Sequence, residues 1–379
     1  MALGKQYGMT FTEIFERCQT EMNDKSTGVE QKWKDRVNQI YTSDLPNEFD
    51  WPYLNKETTL TIKARYNTGT VSIDTSGNVT GASTVWTSDN SNGLLMKVDG
   101  TDEVMTFTFS TATTGTVSPV PITAISGKSY ELYQPVYELP SDFDRLRKLE
   151  DGSSWYYYAN RRRVLQELMD DADWNDLVLL FSHPLPRYCR IKPDLSSSGL
   201  KQIEIGYPPQ DGMYMHIPYH RAMPKLMEIT DTAKTGSTTT KMLTTNNLYG
   251  KISVGQYIRV DADKQWVRIT AIATDTTAGD GITIETLETA GDNTDPITVS
   301  DVPDMPAEFH DTLFLGACAR AAKSQGDKMH RDWKNEYDVQ VARLARKYSL
   351  LKKSKKYRSP WGPQYERGNF PYNSLRGMS

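Results

Sequence analysis

Histidines, cysteines and clustered acids supply most protein chemistry, and here their spacing argues against it. His183, His216, His220, His310 and His330 are the only histidines, and none falls in an H-E-x-x-H, H-x-E or comparable ligand spacing. His216 and His220 flank the end of a predicted strand, where an imidazole more often closes a hydrogen bond than holds a metal, and His310 is expected on a helix surface or interface. Cys18, Cys189 and Cys318 are widely separated and odd in number, with no C-x-x-C. That pattern fits neither a disulfide framework nor a cysteine zinc site, and suits synthesis in a reducing cytoplasm. Gly127-Lys128-Ser129 ends like a phosphate-binding loop, but Ile122 stands where the first glycine is required and no strand, loop and helix follow in order. Asp171-Ala172-Asp173-Trp174-Asn175-Asp176 opens like a calcium loop, yet Asp176 replaces the sharp-turn glycine and Ser182 the closing glutamate. No G-x-S-x-G elbow or dinucleotide fingerprint occurs in a suitable setting. The expectation is a non-enzyme with no catalytic residues, cofactor or metal.

The residues that do point to function are cationic and aromatic. Lys352, Lys353, Lys355, Lys356, Tyr357 and Arg358 are followed by Trp361, Tyr365, Phe370 and Tyr372, and Glu366 is the one acid among them. Such a segment has too little aliphatic surface to offset its own ordering entropy. Its rings suit an arm that docks on a neighbour, with the lysines facing an acidic partner or a nucleic-acid backbone.

The 379 residues leave room for two or three domains. The hydrophobic fraction is 37%, while Tyr (21) and Trp (8) are plentiful, and mean hydropathy is -0.60. Amphipathic aromatics favour protein interfaces. A net charge of -4 argues against nucleic-acid affinity spread over the whole surface. No apolar run approaches the ~20 residues that span a bilayer, so no membrane role is expected, and Met1 to Lys5 do not begin a signal peptide.

The elements that must position the arm begin with a helical hairpin at 304–350. Pro306 suits a first helical turn. Phe309, Leu313 and Ala317 form one ladder, and after Gly326-Asp327 a second runs through Met329, Trp333, Tyr337, Val341, Leu344 and Tyr348. At the other end of the chain, capping boxes at Thr10–Glu13 and Thr27–Glu30 announce two helices within 1–57. Residues 58–136 and 229–303 read as short antiparallel strands in Thr, Ser, Gly and Val, of sandwich or barrel type. The two stretches look like copies: Gly93–Asp99 with Glu103–Phe107 aligns without a gap on Gly255–Asp261 with Gln265–Ile269. Residues 137–228 read as mixed: strands at Trp155–Tyr158 and Arg187–Lys192, a short helix at Val164–Met169, and a hairpin of Gln202–Pro209 with Met213–Tyr219. The expected fold is α+β. A helical-bundle body with a small β-sheet carries two inserted, mutually similar all-β modules and an extended arm at 351–379.

This order of features resembles the head-to-tail connector (adaptor, or head completion) proteins of tailed bacteriophages. The resemblance rests on the capped N-terminal helices, the Leu139-Pro140-Ser141-Asp142-Phe143 exit, Ile203–Pro209 followed by Tyr219, the helix opening Pro306–Leu313 and its companion at Trp333–Tyr348. It implies a virion neck protein, made in the host cytoplasm, that forms an oligomeric ring, dodecameric in that family. The ring joins the portal protein to the tail or the next neck protein and lets DNA pass through its channel without sequence-specific recognition. The arm, Lys352 to Tyr372, would then meet the portal or a neighbouring subunit. The chain departs from the smallest members in carrying two β stretches. A fibre or spike protein whose β modules bind host carbohydrate is the alternative, with Trp86 and Trp266 as candidate platforms.

Overall fold

The computed structural model describes residues 8–24, 28–101, 103–149, 152–168, 174, 185–192, 196–206, 211–261, 265–278, 281–288 and 294–354. The chain divides into two compact units, Leu54–Pro224 and Met1–Tyr53 with Lys225–Ser379.

The Leu54–Pro224 unit holds two sheets. Strand β1 (Asn55–Ile62) leads into seven strands that form a sheet of their own. They are β2 (Thr70–Ile73), β3 (Asn78–Ala82), β4 (Leu94–Val98), β5 (Val104–Thr111), β6 (Thr114–Ser118), β7 (Ile125–Lys128) and β8 (Tyr130–Tyr133). The spatial order is β7-β2-β3-β6-β5-β4-β8. The two end strands are consecutive in the chain, separated by Ser129 alone, so the sheet curls into a near-closed barrel. Inward residues alternate along each strand, as the two-residue period of a strand demands, and Trp86 and Phe107 pack in the core with ring centroids 4.7 Å apart. Glycines make room for these rings: a Cβ on Gly115 would lie 2.4 Å from the Phe107 ring, and one on Gly81 2.9 Å from the Trp86 ring. Trp86 Nε1 donates to the Tyr130 hydroxyl (2.8 Å), which donates to the Thr68 carbonyl (2.8 Å).

The chain then returns to β1 through β9 (Val136–Glu138), β10 (Phe143–Leu146), β11 (Ser154–Tyr158), β12 (Arg161–Glu167), β13 (Tyr188–Lys192), β14 (Gln202–Ile205) and β15 (Met213–Arg221). The order is β1-β15-β11-β12-β13-β14-β9, with β10 also on β15. β1 and β15 pair along their whole length, from Asn55 opposite His220 to Ile62 opposite Met213. Leu60, Ile62, Met213, Met215, Ile217 and Tyr219 line one buried face. Asp142 ties the sheet together: Lys56 Nζ donates to it at 2.6 Å and the Tyr219 hydroxyl at 2.8 Å.

The other unit begins with α1 (Phe11–Glu21), whose Thr10–Glu13 capping box forms as expected. In α2 (Glu30–Gln39) the cap position is Val29, with no side-chain cap, and Thr27 lies outside the described residues. A six-stranded half-barrel follows, made of β16 (Glu228–Thr232), β17 (Lys241–Met242), β18 (Tyr257–Val260), β19 (Trp266–Ile272), β20 (Ile282–Ile284) and β21 (Pro296–Ser300). The helices α3 (His310–Gln325) and α4 (His330–Ser354) complete the unit. α1 is bolted to the half-barrel. The Phe11 N–H donates to the Asp301 carbonyl (2.8 Å), Thr12 Oγ1 to Glu228 (3.1 Å), and Arg259 to both oxygens of Glu16 (3.3 and 3.1 Å).

The two aligned stretches pair in one register. Leu95 faces Thr106, Met96 faces Met105 and Lys97 faces Val104; their counterparts Tyr257, Ile258 and Arg259 face Arg268, Val267 and Trp266. The flanking bonds coincide too, with the Gly93 N–H on the Phe107 carbonyl and the Gly255 N–H on the Ile269 carbonyl, each at 2.9 Å.

Three expectations are corrected. The chain is mostly β, a near-closed barrel, a half-barrel and a third sheet, and it has no helical-bundle body. The N-terminal helices and the apolar ladders are real, but they are a minority, and the described part of 137–228 is built on strands. The expected helix at Val164–Met169 is instead strand β12 through Glu167, paired with β11 across a turn at Ala159 and Asn160. The expected hairpin of 202–209 with 213–219 does not form: β14 pairs with β13 and β9, while β15 pairs with β1, β10 and β11.

Candidate interaction site

The α3–α4 hairpin immediately precedes the residues of the expected arm in the chain. α3 ends at Gly326, whose φ of 68° is the left-handed conformation glycine adopts freely, and the Asp327 N–H returns to the Ala322 carbonyl at 2.9 Å. Gly316 lets α4 come close, since a Cβ there would sit 3.0 Å from the Tyr337 ring. Tyr337, Val341 and Leu344 are buried along the seam, and Trp333 meets Phe314 edge to face at 5.9 Å. Met329, placed on the same ladder by spacing, is exposed.

Near its C-terminal end α4 is clasped. Trp51 is fully buried, packs edge to face on Phe309 at 4.9 Å and on Tyr348 at 6.4 Å, and donates from Nε1 to the Leu45 carbonyl at 2.6 Å. Lys347 and the Tyr348 hydroxyl both donate to Glu308. The Lys347 hydrogen bond, then that of Tyr348, holds the Glu308 carboxyl below its ordinary value. Burial first, and the Glu308 hydrogen bond second, push the Tyr348 phenol up to about 12. Arg320 of α3 makes a bidentate pair with Asp44 (2.8 and 2.7 Å), the fork geometry that makes arginine–carboxylate contacts strong.

The expected arm residues mostly lie beyond this clasp. Lys352 and Lys353 are in the last turn of α4, and Lys355, Lys356, Tyr357, Arg358, Trp361, Tyr365, Phe370 and Tyr372 lie outside the described residues. Asp171–Asp173, Asn175, Asp176, Ser182 and His183 also lie outside them.

Three of the described histidines, His216, His310 and His330, are held by hydrogen bonds. His310, expected on a surface, is buried: the Met9 N–H donates to Nδ1 (2.9 Å), so Nε2 carries the proton and faces the Met305 carbonyl at 3.4 Å. Burial lowers its pKa below the ordinary value. His330 donates from Nδ1 to the Ala319 carbonyl (3.1 Å), and His216 Nδ1 meets Thr59 Oγ1 (2.9 Å). Among the described residues no three metal-ligating side chains converge. Trp86 and Trp266 are both buried, so neither offers an open platform for a sugar.

A feature that spacing missed is the β11–β12 hairpin. Arg161, Arg162 and Arg163 are consecutive and exposed, opposite Tyr158, Tyr157 and Tyr156. The signal was present as four consecutive aromatics, a two-residue turn and three arginines. The helix-favouring Leu165, Gln166, Glu167 and Leu168 that follow masked it.

No protein-family model matches the chain, and no curated protein matches it. Among solved structures, apo translation elongation factor SelB from Methanococcus maripaludis gives a TM-score of 0.16 at 9% sequence identity, covering 66% of this chain and 63% of that one. The same factor with the GTP analogue GppNHp gives 0.14 at 10%, covering 72% and 68%. This chain thus spans less than two thirds of the apo factor, and a likeness at these values carries no argument about fold or function.

Proposed function

We propose that the protein is a non-enzymatic subunit of a bacteriophage head-to-tail connector. It forms an oligomeric ring, dodecameric by the resemblance, that joins the portal to the tail or the next neck protein and lets DNA through without reading its sequence. The observation that supports this reading most is the clasped end of α4. Trp51, Phe309, Glu308 and Tyr348 fix the helix from which a basic, aromatic segment departs. A rigid mount for a segment that contacts neighbours is what a ring subunit needs, because contacts spread over several partners gain avidity without a large core. Ring closure follows from one heterologous interface repeated about an axis.

Deleting the chain from Leu351 onward tests it. The truncated protein folds, since the clasp at Tyr348 is retained, but no longer joins portal-bearing particles. Mass photometry of the full chain shows a closed ring at a multiple of the 43.0-kDa subunit. Incorporation of the truncated chain at the normal level, or a monomer at all concentrations, refutes the reading.

A further inference from the structure

We propose that the outer face of the near-closed barrel, around Lys97, is a docking seat for an amphipathic helix of another chain, one that sets a carboxylate against Lys97. The half-barrel shows what such a face holds. Its strands β16, β21, β18 and β19 lie side by side, and the barrel repeats that frame with the Tyr66 bridge, β8, β4 and β5. The registers coincide. Tyr66 and Met96 flank Leu132 while Lys97 faces Glu131, just as Ile229 and Ile258 flank Val299 while Arg259 faces Thr298. Met96, Val98 and Leu132 belong to the barrel core, and Ile258, Val260 and Val299 to that of the half-barrel. By the two-residue period of a strand, Lys97 and Arg259 therefore stand on the outside.

In the half-barrel that outer face carries α1. The Thr12 N–H donates to Ser300 Oγ (3.1 Å), Thr12 Oγ1 to Glu228 (3.1 Å) and Arg259 to both oxygens of Glu16 (3.3 and 3.1 Å). On this face Tyr257, Trp266 and Thr298 are buried. Their counterparts on the barrel, Leu95, Val104 and Glu131, are half-buried. A cleft of about 420 Å³ opens at this end of the barrel, lined by Asn67, Lys97, Asp99, Thr101, Ser129 and Glu131. Leu95 and Val104 offer apolar contact to a helix stripe on either side of Lys97. Charge selects the acid on that helix. Lys97 makes no ion pair among the described residues, and Glu131 is already neutralised by Arg65 at 2.9 Å. Asp99 holds the place that Asp261 takes beside Arg259, at 3.6 Å, and Asp102 lies outside the described residues. Arg259 binds Glu16 with Asp261 in place, so an acid at this position leaves the cation able to take a second carboxylate from a helix. The inference does not rest on the connector reading, since a helix of any neighbouring chain satisfies it.

The probe is a fluorescently labelled peptide of Gly8–Asp24, the segment that carries α1, titrated with the full chain and read by anisotropy. Saturable binding is expected. Lys97→Glu weakens it on the order of tenfold, because a like charge then meets Glu16. Lys97→Gln weakens it by about threefold, which keeps the test open if the charge reversal disturbs the barrel. A peptide with Glu16→Lys recovers binding to the Lys97→Glu chain and loses it on the parent. Absence of saturable binding overturns the proposal, as does equal binding by the parent and both Lys97 variants. A loss caused by Arg259→Glu and not by Lys97→Glu also overturns it, since the peptide has then only exchanged with the chain's own α1. Ring mass measured on the same variants reports on the connector reading separately.

Discussion

Gly115→Ala adds a single methyl to β6 where the barrel has no space. The new Cβ would lie 2.4 Å from Cε2 and Cζ of Phe107 and 2.6 Å from the Thr108 carbonyl oxygen. The Gly115 backbone is outside the left-handed region, so in open space the substitution would stabilise by about 0.5–1 kcal/mol through the unfolded chain. Overpacking a tight core costs about 1–3 kcal/mol. One of the clashing atoms belongs to the backbone, which no rotamer change can move aside, so the upper part of that range applies. The net is a destabilisation of about 1–2 kcal/mol. Because the chain has two units, a single global melt is the wrong assay. Amide hydrogen exchange by mass spectrometry on peptides spanning 104–118 reads the barrel directly. Phe107→Leu removes the clashing ring, so in a double-mutant cycle the pair is less damaging than the sum of the singles by about 0.5–1 kcal/mol. Protection in Gly115→Ala that equals or exceeds the parent refutes the packing argument.

Three further outcomes follow from the polar and aromatic anchors. Because burial lowers the His310 pKa, the unfolded chain binds the proton more readily; the stabilisation is complete above the ordinary value near 6.5 and is lost as pH falls toward the lower folded value, at about 1.4 kcal/mol per pH unit in that window. Amide exchange of peptides spanning 305–325 at pH 7 and 5.5, corrected for the intrinsic pH dependence of exchange, is expected to show it and His310→Gln to flatten it; identical pH dependence in both chains would count against it. Trp51→Phe keeps a ring on Phe309 but leaves the Leu45 carbonyl without its donor, costing about 1–3 kcal/mol against about 3–5 kcal/mol for Trp51→Ala, read as faster exchange near Tyr348. Burial raises the Asp142 pKa, but hydrogen bonds from Lys56 and Tyr219 outweigh it and leave it lowered. Its stabilisation is therefore present above the unfolded value near 3.9 and is lost as pH falls through the lower folded value. Asp142→Asn is expected to destabilise the sheet at pH 7 and to converge on the parent in acid.

How much of this was legible depended on distance along the chain. The Thr10–Glu13 box and the Phe309–Leu344 ladders are local patterns, and both form. The duplicated stretch was legible because a copy carries its register with it, as Leu95 opposite Thr106 and Tyr257 opposite Arg268 demonstrate. Pairing between β15 and β1 was not, because nothing near Met213–Tyr219 encodes a partner some 150 residues earlier, and Asp211-Gly212 offered a nearer turn. The β11–β12 hairpin was lost for a related reason. Its turn uses Ala159 where Asn-Gly or Asp-Gly is the usual signal, so the apolar run after it read as a helix. The excess weight given to helices came from the same source, since a capping box is conspicuous in sequence and a strand's partner is not.

The matched registers also put one frame to two uses. Lys97 opposite Val104 and Arg259 opposite Trp266 occupy equivalent positions in two sister ribbons. In one sister the cation lies between its strand neighbours Val104 and Glu131. In the other it lies 5.0 Å over the Trp266 ring and brackets Glu16 of α1. One strand frame thus serves as plain sheet in one stretch and as a joint to a helix in the other.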